Sequence, residues 1–299
     1  MSEYHDPVLL SECLEGLNIN SKGIYVDVTF GGGGHSRAIV SKLAEGHLYA
    51  FDQDDDALKN ELDDDRFTLI NVNFRYLKSS LRMYGVKEID GLLADLGVSS
   101  HQFDVPDRGF STRFEADLDM RMDQHSNLNA YKVINEYEQD DLRNILKLYG
   151  ELKRPGTIAR VICEARVEKP ISTVNELKVL LKPFTPAMLE NKFFAQVFQA
   201  IRIEVNDELN VLREMLSQAQ EVLKPGGRLV VISYHSLEDR LVKNLIQKGN
   251  FEGELEQDFY GNKLLSFKKV SRKPILPTEE EIKRNNRARS AKLRVAEKL

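Results

Sequence analysis

The first third of the chain holds a run of residues suited to gripping a ligand: Asp27, Val28, Thr29 and Phe30, then glycine at 31, 32, 33 and 34, then His35 and Ser36. Glycine lets the backbone turn tightly and approach a bound molecule with no side chain intervening, and several in succession cost backbone entropy while packing nothing. A dinucleotide site would show GxGxxG, but counted from Gly31 the sixth position is Ser36, so that fingerprint fails. The loop reads as nucleotide-binding, with no pyrophosphate required. About 20 residues further on stand Asp52 and Asp54, where an acidic side chain accepts hydrogen bonds from ribose hydroxyls; Asp52 is the choice for that role. Asp95 closes another apolar run. His235, in SYHSLEDR, has a ring that can take up a proton near neutral pH or can fix loop hydrogen bonds. Asp119, Arg121 and Asp123 alternate with Met120 and Met122, which makes either a polar face beside a site or an internal salt-bridge network.

Chemistry of this kind needs elements that bring distant residues together. Short apolar runs at 24–28, 48–52, 67–72 and 91–96 alternate with helical patterns and are too apolar to be half exposed, which predicts a parallel sheet covered on both faces. In a doubly wound sheet with a switch point the fourth strand lies beside the first, and ligands bind in that crevice. The glycine run, Asp52 and Asp95 are therefore expected to converge. From about residue 127 to 181 the period is helical. Leu142, Ile145, Leu146 and Tyr149 repeat at helical spacing, as do Ile158, Val161, Ile162 and Ala165, with Gly150 and Pro170 where helices end. Thr173 and Glu176 have capping-box spacing. After an apolar-periodic segment from 194 to 223, KPGGRLVVISYHS returns the chain to the sheet near Arg228. Residues 264–269 are expected to form a last, antiparallel edge strand, and 285–298 a basic tail.

With 299 residues, 41% hydrophobic and 30% charged, the chain is that of a globular protein with a substantial core, longer than one average domain. The organisation expected is a core of residues 1–108, a helical insertion at 109–205 that recognises substrate, and a second core part at 206–299. Net charge is −5, yet nine Lys or Arg against four Glu lie within 271–299. Such a chain cannot hold nucleic acid by bulk attraction, but one local patch can face phosphates. Cys13 and Cys163 lack CxxC spacing and His partners, so packing is expected of them rather than zinc or a disulfide. No run approaches the roughly 20 apolar residues of a membrane span, and the expected location is cytosolic.

HDPVLLSE, DVTFGGGGHSRAI, FDQD, DLGVSSHQFD, RGFS, LDMRMD, FQAIRIEVNDEL, PGGRLVVISYHSLEDRLVK and NNRARSAKLRVAE follow one another through nearly the whole chain. In content and order these blocks resemble the bacterial ribosomal small-subunit RNA cytosine-N4 methyltransferases. The resemblance implies a class I methyltransferase sheet interrupted by a helical insert. It also implies S-adenosylmethionine held by residues matching Gly33, Gly34, His35, Asp52, Phe74, Asp95 and Gln102. The substrate it implies is a decoding-region cytosine of 16S rRNA, in an assembled small subunit; a homodimer is left open. The chain departs from the family pattern at YGELKRPGTIAR and TPAMLENKFFAQV, both in or beside the insert.

Methyl transfer from a sulfonium to an amine is an in-line displacement that rests on alignment, and no metal is demanded. The Pro-Pro-aromatic clamp of amino-group DNA methyltransferases is absent, because Asp95 is followed by Leu96, Gly97 and Val98. An aromatic to stack the base must come from elsewhere, with Tyr234 and Phe110 as the choices. Asp95, His235 and Tyr234 are thus the expected catalytic group, and Arg287, Arg289, Lys292 and Arg294 the expected phosphate contacts. The cytosine must be single-stranded or extruded to be reached. Competing readings are a small-molecule methyltransferase, which the basic end and large insert oppose; a nicotinamide oxidoreductase, which the failed fingerprint opposes; and a non-catalytic assembly factor that binds the cofactor without transfer.

Overall fold

The computed structural model describes residues 7–185 and 188–299; His5 and Asp6 of HDPVLLSE, and Pro186 and Ala187 of TPAMLENKFFAQV, lie outside the described residues. The chain opens with α1 (Leu10–Leu17), β1 (Ile24–Asp27), α2 (Gly34–Val40), β2 (His47–Phe51), β3 (Phe67–Ile70), α3 (Leu77–Met83) and β4 (Ile89–Asp95). A helical stretch follows: α4 (Ser100–Asp104), α5 (Ala130–Glu136), α6 (Gln139–Leu148), α7 (Pro155–Glu168), α8 (Val174–Leu181), α9 (Glu190–Val205) and α10 (Glu208–Val222). The chain then returns to β5 (Leu223–Ser233), α11 (Ser236–Lys248), β6 (Phe267–Lys269), α12 (Glu279–Arg284) and β7 (Lys292–Lys298).

Two compact units result, one of Met1–Gly97 with Leu209–Leu299 and one of Val98–Glu208. The first boundary lies earlier than the expected 108 because residues just after Gly97 already serve the helical unit: Val98 and Phe103 pack against its core. The second lies later than 205 because Asn206 still binds that unit, accepting the Met122 amide (2.7 Å) and donating to the Met120 carbonyl (2.8 Å). LDMRMD and EVNDEL, far apart in sequence, are thereby tied together.

Among the described residues the sheet unit carries seven strands in the order β3-β2-β1-β4-β5-β7-β6. β1 to β5 pair in parallel, and β7 runs antiparallel to both β5 and β6. This is the expected doubly wound, mostly parallel sheet with an antiparallel edge, its switch point between β1 and β4. Leu92, Leu93, Ala94, Leu229, Val230, Val231 and Ile232 are all buried, as parallel strands covered on both faces require. β6 takes the edge as expected, but its neighbour corrects the reading of the C-terminal segment. Residues 292–298 are a sheet strand, with Leu293 and Val295 buried against Ile232 and Val230, rather than a basic tail. Each such side chain contributes about 1.5 to 3 kcal/mol by leaving water.

In the helical unit the periodic residues Leu142, Ile145, Leu146, Ile158 and Ile162 form the core, and the Thr173–Glu176 capping box starts α8 with both of its bonds made. The apolar stretch read from 194 onward is two helices, divided at Asn206 and at Asp207, whose φ is +51°. Both cysteines are free thiols, Cys13 buried and Cys163 half-buried. Among the described residues no helix is long and apolar enough to cross a membrane.

Candidate active site

β1 ends in Asp27, whose buried carboxylate organises the loop that follows. It accepts the Ser36 hydroxyl at 2.7 Å and the Thr29 amide at 3.0 Å, so the start of α2 is drawn back onto the strand that precedes the glycines. Between these anchors Gly31 and Gly33 take φ of +51° and +75°, left-handed conformations that cost other residues energy. A Cβ on Gly33 would stand 2.9 Å from the Phe30 ring. Thr29 also reaches sideways: its hydroxyl accepts the Asp95 amide at 2.6 Å, which fixes the end of β4 to the loop after β1.

Asp52, just past β2, accepts the Gly31 amide on Oδ2 (2.8 Å) and the Asp54 amide on Oδ1 (2.9 Å). A carboxylate oxygen has two lone pairs, so each oxygen can still accept from a ligand hydroxyl. Burial pushes this carboxyl up to about 6, against the opposing pull of its two amide bonds. The loop after β3 is tied to the same corner. The Asn73 amide donates to Gln53 Oε1 (2.6 Å), Asn71 donates to the Asp52 carbonyl (3.3 Å), and half-buried Phe74 follows directly.

At the end of β4, Asp95 Oδ1 accepts the Tyr234 hydroxyl at 2.7 Å, while Oδ2 stands 3.8 Å from His35 Nδ1. The other ring nitrogen of His35, Nε2, lies 3.0 Å from the Val8 carbonyl, which can only accept, so Nε2 carries a proton. In the neutral ring Nδ1 is then an acceptor, and two acceptors face each other across a gap too wide for a hydrogen bond. An added proton or a cationic amine satisfies both. Burial pushes the Asp95 carboxyl up to about 6, with His35 and the Tyr234 hydroxyl pulling it back. Burial, and then the Asp95 charge, hold the Tyr234 phenol well above its ordinary value.

The expected residues therefore divide. Gly33, Gly34, His35, Asp52, Phe74, Asp95 and Tyr234 belong to the sheet unit and stand on the strand ends and loops just described. Tyr234 uses its hydroxyl on Asp95. Gln102 belongs to the helical unit, buried in the first turn of α4, where its side-chain oxygen accepts the Ser99 amide (3.0 Å). Phe110 is buried in the helical core with the Arg108 guanidinium over its ring (5.9 Å), which removes it as a base-stacking surface. Arg121 is engaged internally by Asp119 (2.7 Å) and by the carbonyls of Gln124 and Ser126. His235 is the N-cap of α11: Nδ1 faces the Glu238 amide at 3.5 Å, and Nε2 stands 3.1 Å from Glu238 Oε1 without the alignment of a hydrogen bond.

Of the four basic residues expected to meet phosphate, Arg289 is exposed, Arg287 half-buried, and Lys292 has 43% of its side chain exposed. Arg294 is corrected. As a strand residue its guanidinium is held by both oxygens of Asp239, at 2.7 and 3.2 Å. Sequence reasoning missed Thr29 and Ser36 as supports of the loop, although their place around the glycines was a usable sign. It also missed the Val8 carbonyl, which no local pattern ties to His35.

A model of the MraW methylase family matches residues 2–299. The chain is 62% identical over 298 residues to a protein of Flavobacterium johnsoniae named ribosomal RNA small subunit methyltransferase H, covering 99% of this chain and 98% of that one. Proteins with the same name from Christiangramia forsetii and Parabacteroides distasonis are 60% and 57% identical, with 100% and 99% of this chain and 99% and 98% of theirs covered.

Proposed function

Because the chain belongs to the MraW methylase family, we propose that it methylates the N4 amine of a cytidine in the decoding region of 16S rRNA within the small ribosomal subunit, with S-adenosylmethionine as donor. The observation that carries the reading is the convergence at the switch point. Asp52 just past β2 and Asp95 at the last position of β4 stand on either side of the β1 glycine loop, and both keep acceptor capacity beyond their bonds within the protein. The donor set fits the cofactor. Asp52 would accept the ribose hydroxyls, Phe74 would cover the adenine, and the acceptor pair of Asp95 and His35 Nδ1 would take the α-amine.

When bound, the cofactor supplies a methyl group on a sulfonium, activated for in-line displacement. The chain's own part is alignment and desolvation. The Thr29 hydroxyl holds the Asp95 amide, and Tyr234 holds one Asp95 oxygen, so the carboxylate is oriented before any ligand arrives. With Asp95 and Tyr234 locked together at the end of β4, this edge is where the cytosine amine is to be presented. Carboxylate and phenol oxygens can accept its N–H hydrogens and turn the nitrogen lone pair toward the methyl. The proton released on transfer passes to water, since both ring nitrogens of His235 face its own helix. Arg287, Arg289 and Lys292 supply phosphate contacts, and the helical unit supplies the remaining RNA surface.

The test is transfer of labelled methyl from S-adenosylmethionine to small subunits isolated from cells lacking the modification, with nucleoside mass spectrometry of the product. N4-methylcytidine in 16S rRNA is expected. Cofactor binding with no transfer to subunits or to naked 16S rRNA would replace this reading with that of an assembly factor.

A further inference from the structure

We propose that Glu281, on α12, is a positioning residue of the cofactor site, acting through the backbone of residues 8 and 9 on the tautomer and placement of His35. Glu281 Oε1 accepts the Leu9 amide at 2.7 Å, across 272 positions of sequence. Leu9 is the N-cap of α1, a position normally served by a local Ser, Thr, Asp or Asn, and no side chain of its own caps that helix. It is buried, with φ +52° and ψ +38°, a left-handed conformation that a γ-branched side chain adopts only when its surroundings impose it. The Glu281 carboxylate is the imposing group.

The consequence lies one peptide earlier. The orientation of Leu9 aims the Val8 carbonyl at His35 Nε2 (3.0 Å), and that acceptor puts the ring proton on Nε2 and leaves Nδ1 facing Asp95. Pro7 continues the strap over the loop, so close that a Cβ on Gly34 would meet its Cγ at 2.6 Å. Glu281 is itself fixed. Its amide donates to the Thr278 hydroxyl (3.2 Å), and the chain on either side of α12 is pinned where Ile275 and Leu293 exchange backbone bonds of 2.9 Å. The position of β7 inside the sheet is thus transmitted through α12 to the strap and on to His35.

The inference rests on reading the pocket as an S-adenosylmethionine site, and the experiment separates the two. Calorimetry on the full chain compares S-adenosylmethionine with 5′-methylthioadenosine, which lacks the amino-acid end. Glu281→Ala and Glu281→Asp, the latter one methylene too short, should weaken S-adenosylmethionine about tenfold or more and leave 5′-methylthioadenosine within about twofold. Glu281→Gln keeps an acceptor for the Leu9 amide and should restore binding to within about threefold. Nitrogen-15 spectra of His35 should show the Nε2–H tautomer in wild type and Glu281→Gln, and a mixture in Glu281→Ala. Equal losses for both ligands, no rescue by Gln, or an unchanged His35 tautomer would overturn the proposal. Absence of S-adenosylmethionine binding in wild type would instead overturn the reading of the pocket. Should Glu281→Ala fail to fold, the contrast between Glu281→Asp and Glu281→Gln still decides.

Discussion

Asp95→Asn should make the protein more stable while it destroys the site. The wild-type carboxylate pays an ionisation penalty, because its folded value is raised from 3.8 to about 6. Below both values the carboxyl is protonated whether folded or not, and nothing is lost. As pH rises between them the unfolded chain releases its proton first, so stability falls, and above 6 the full penalty persists. The two-unit displacement is worth about 3 kcal/mol at pH 7.5, about half that at pH 5 and little at pH 4. Asparagine removes this term and fits the partners already in place: Oδ1 accepts the Tyr234 hydroxyl, and Nδ2 faces His35 Nδ1 as a donor toward an acceptor, where the carboxylate set two acceptors against each other. At about 2 to 4 °C per kcal/mol for a unit of this size, the melting temperature of the sheet unit should rise by about 6 to 12 °C at pH 7.5. The rise should be about half that at pH 5. Scanning calorimetry of both proteins without ligand, across this range, reads the effect. The same variant places a donor where the α-amine must be received, so single-turnover methyl transfer should be strongly reduced. A fall in melting temperature at pH 7.5, or a gain independent of pH, would refute the account of Asp95 as a destabilised acceptor held ready for a cation.

Asp52→Ala should weaken S-adenosylmethionine by about 10- to 150-fold through loss of charge-assisted bonds to ribose. Since the wild-type carboxyl titrates at about 6, affinity should decline toward tenfold per pH unit below that value, and the Ala variant should lose this part of the slope. His235→Ala should lower thermal stability by about 1 kcal/mol, the worth of an N-cap, and leave most of the transfer rate at every pH, as measured in single turnovers with saturating subunits. Truncation before Asn285 removes β7 with its buried Leu293 and Val295, so it should yield unfolded or aggregated protein by circular dichroism rather than a folded enzyme deficient only in RNA binding.

The parallel part of the sheet was legible because its strands are buried on both faces. They read as unbroken apolar runs, each followed by the polar residue of its loop: Asp27 closes β1, Asp95 closes β4 and Asp52 follows β2. β7 was not legible, for the opposite reason. KLRVAEK alternates buried and half-exposed positions, and its charged residues at 292, 294, 297 and 298 imitate a solvated tail. Its pairing partner β5 lies some sixty residues upstream, as in Leu293 against Ile232. The same distance hid how the site is joined. Asp95 and Tyr234 could each be singled out, but a bond across 139 positions between them could not. Nothing around Leu9 announces that its amide is answered by Glu281. Phe110 and Arg294 misled because residue type suggests what a side chain can do, whereas burial and an adjacent Asp239 decide what it does.

The order of strands also bears on how the protein is made. Synthesis runs from the N-terminus, and β5 emerges long before residues 292–298 exist to cover its outer edge. During that interval Val230, Val231 and Ile232 belong to a sheet margin with unpaired backbone groups, the kind of surface on which nascent chains associate wrongly. The first half of the sheet unit must meanwhile wait through translation of the whole helical unit before its partner strand appears. Yield in cells should therefore depend on how quickly the final strand docks, and substitutions within 292–298 that slow docking should appear as inclusion bodies at translation rates that the wild-type chain tolerates.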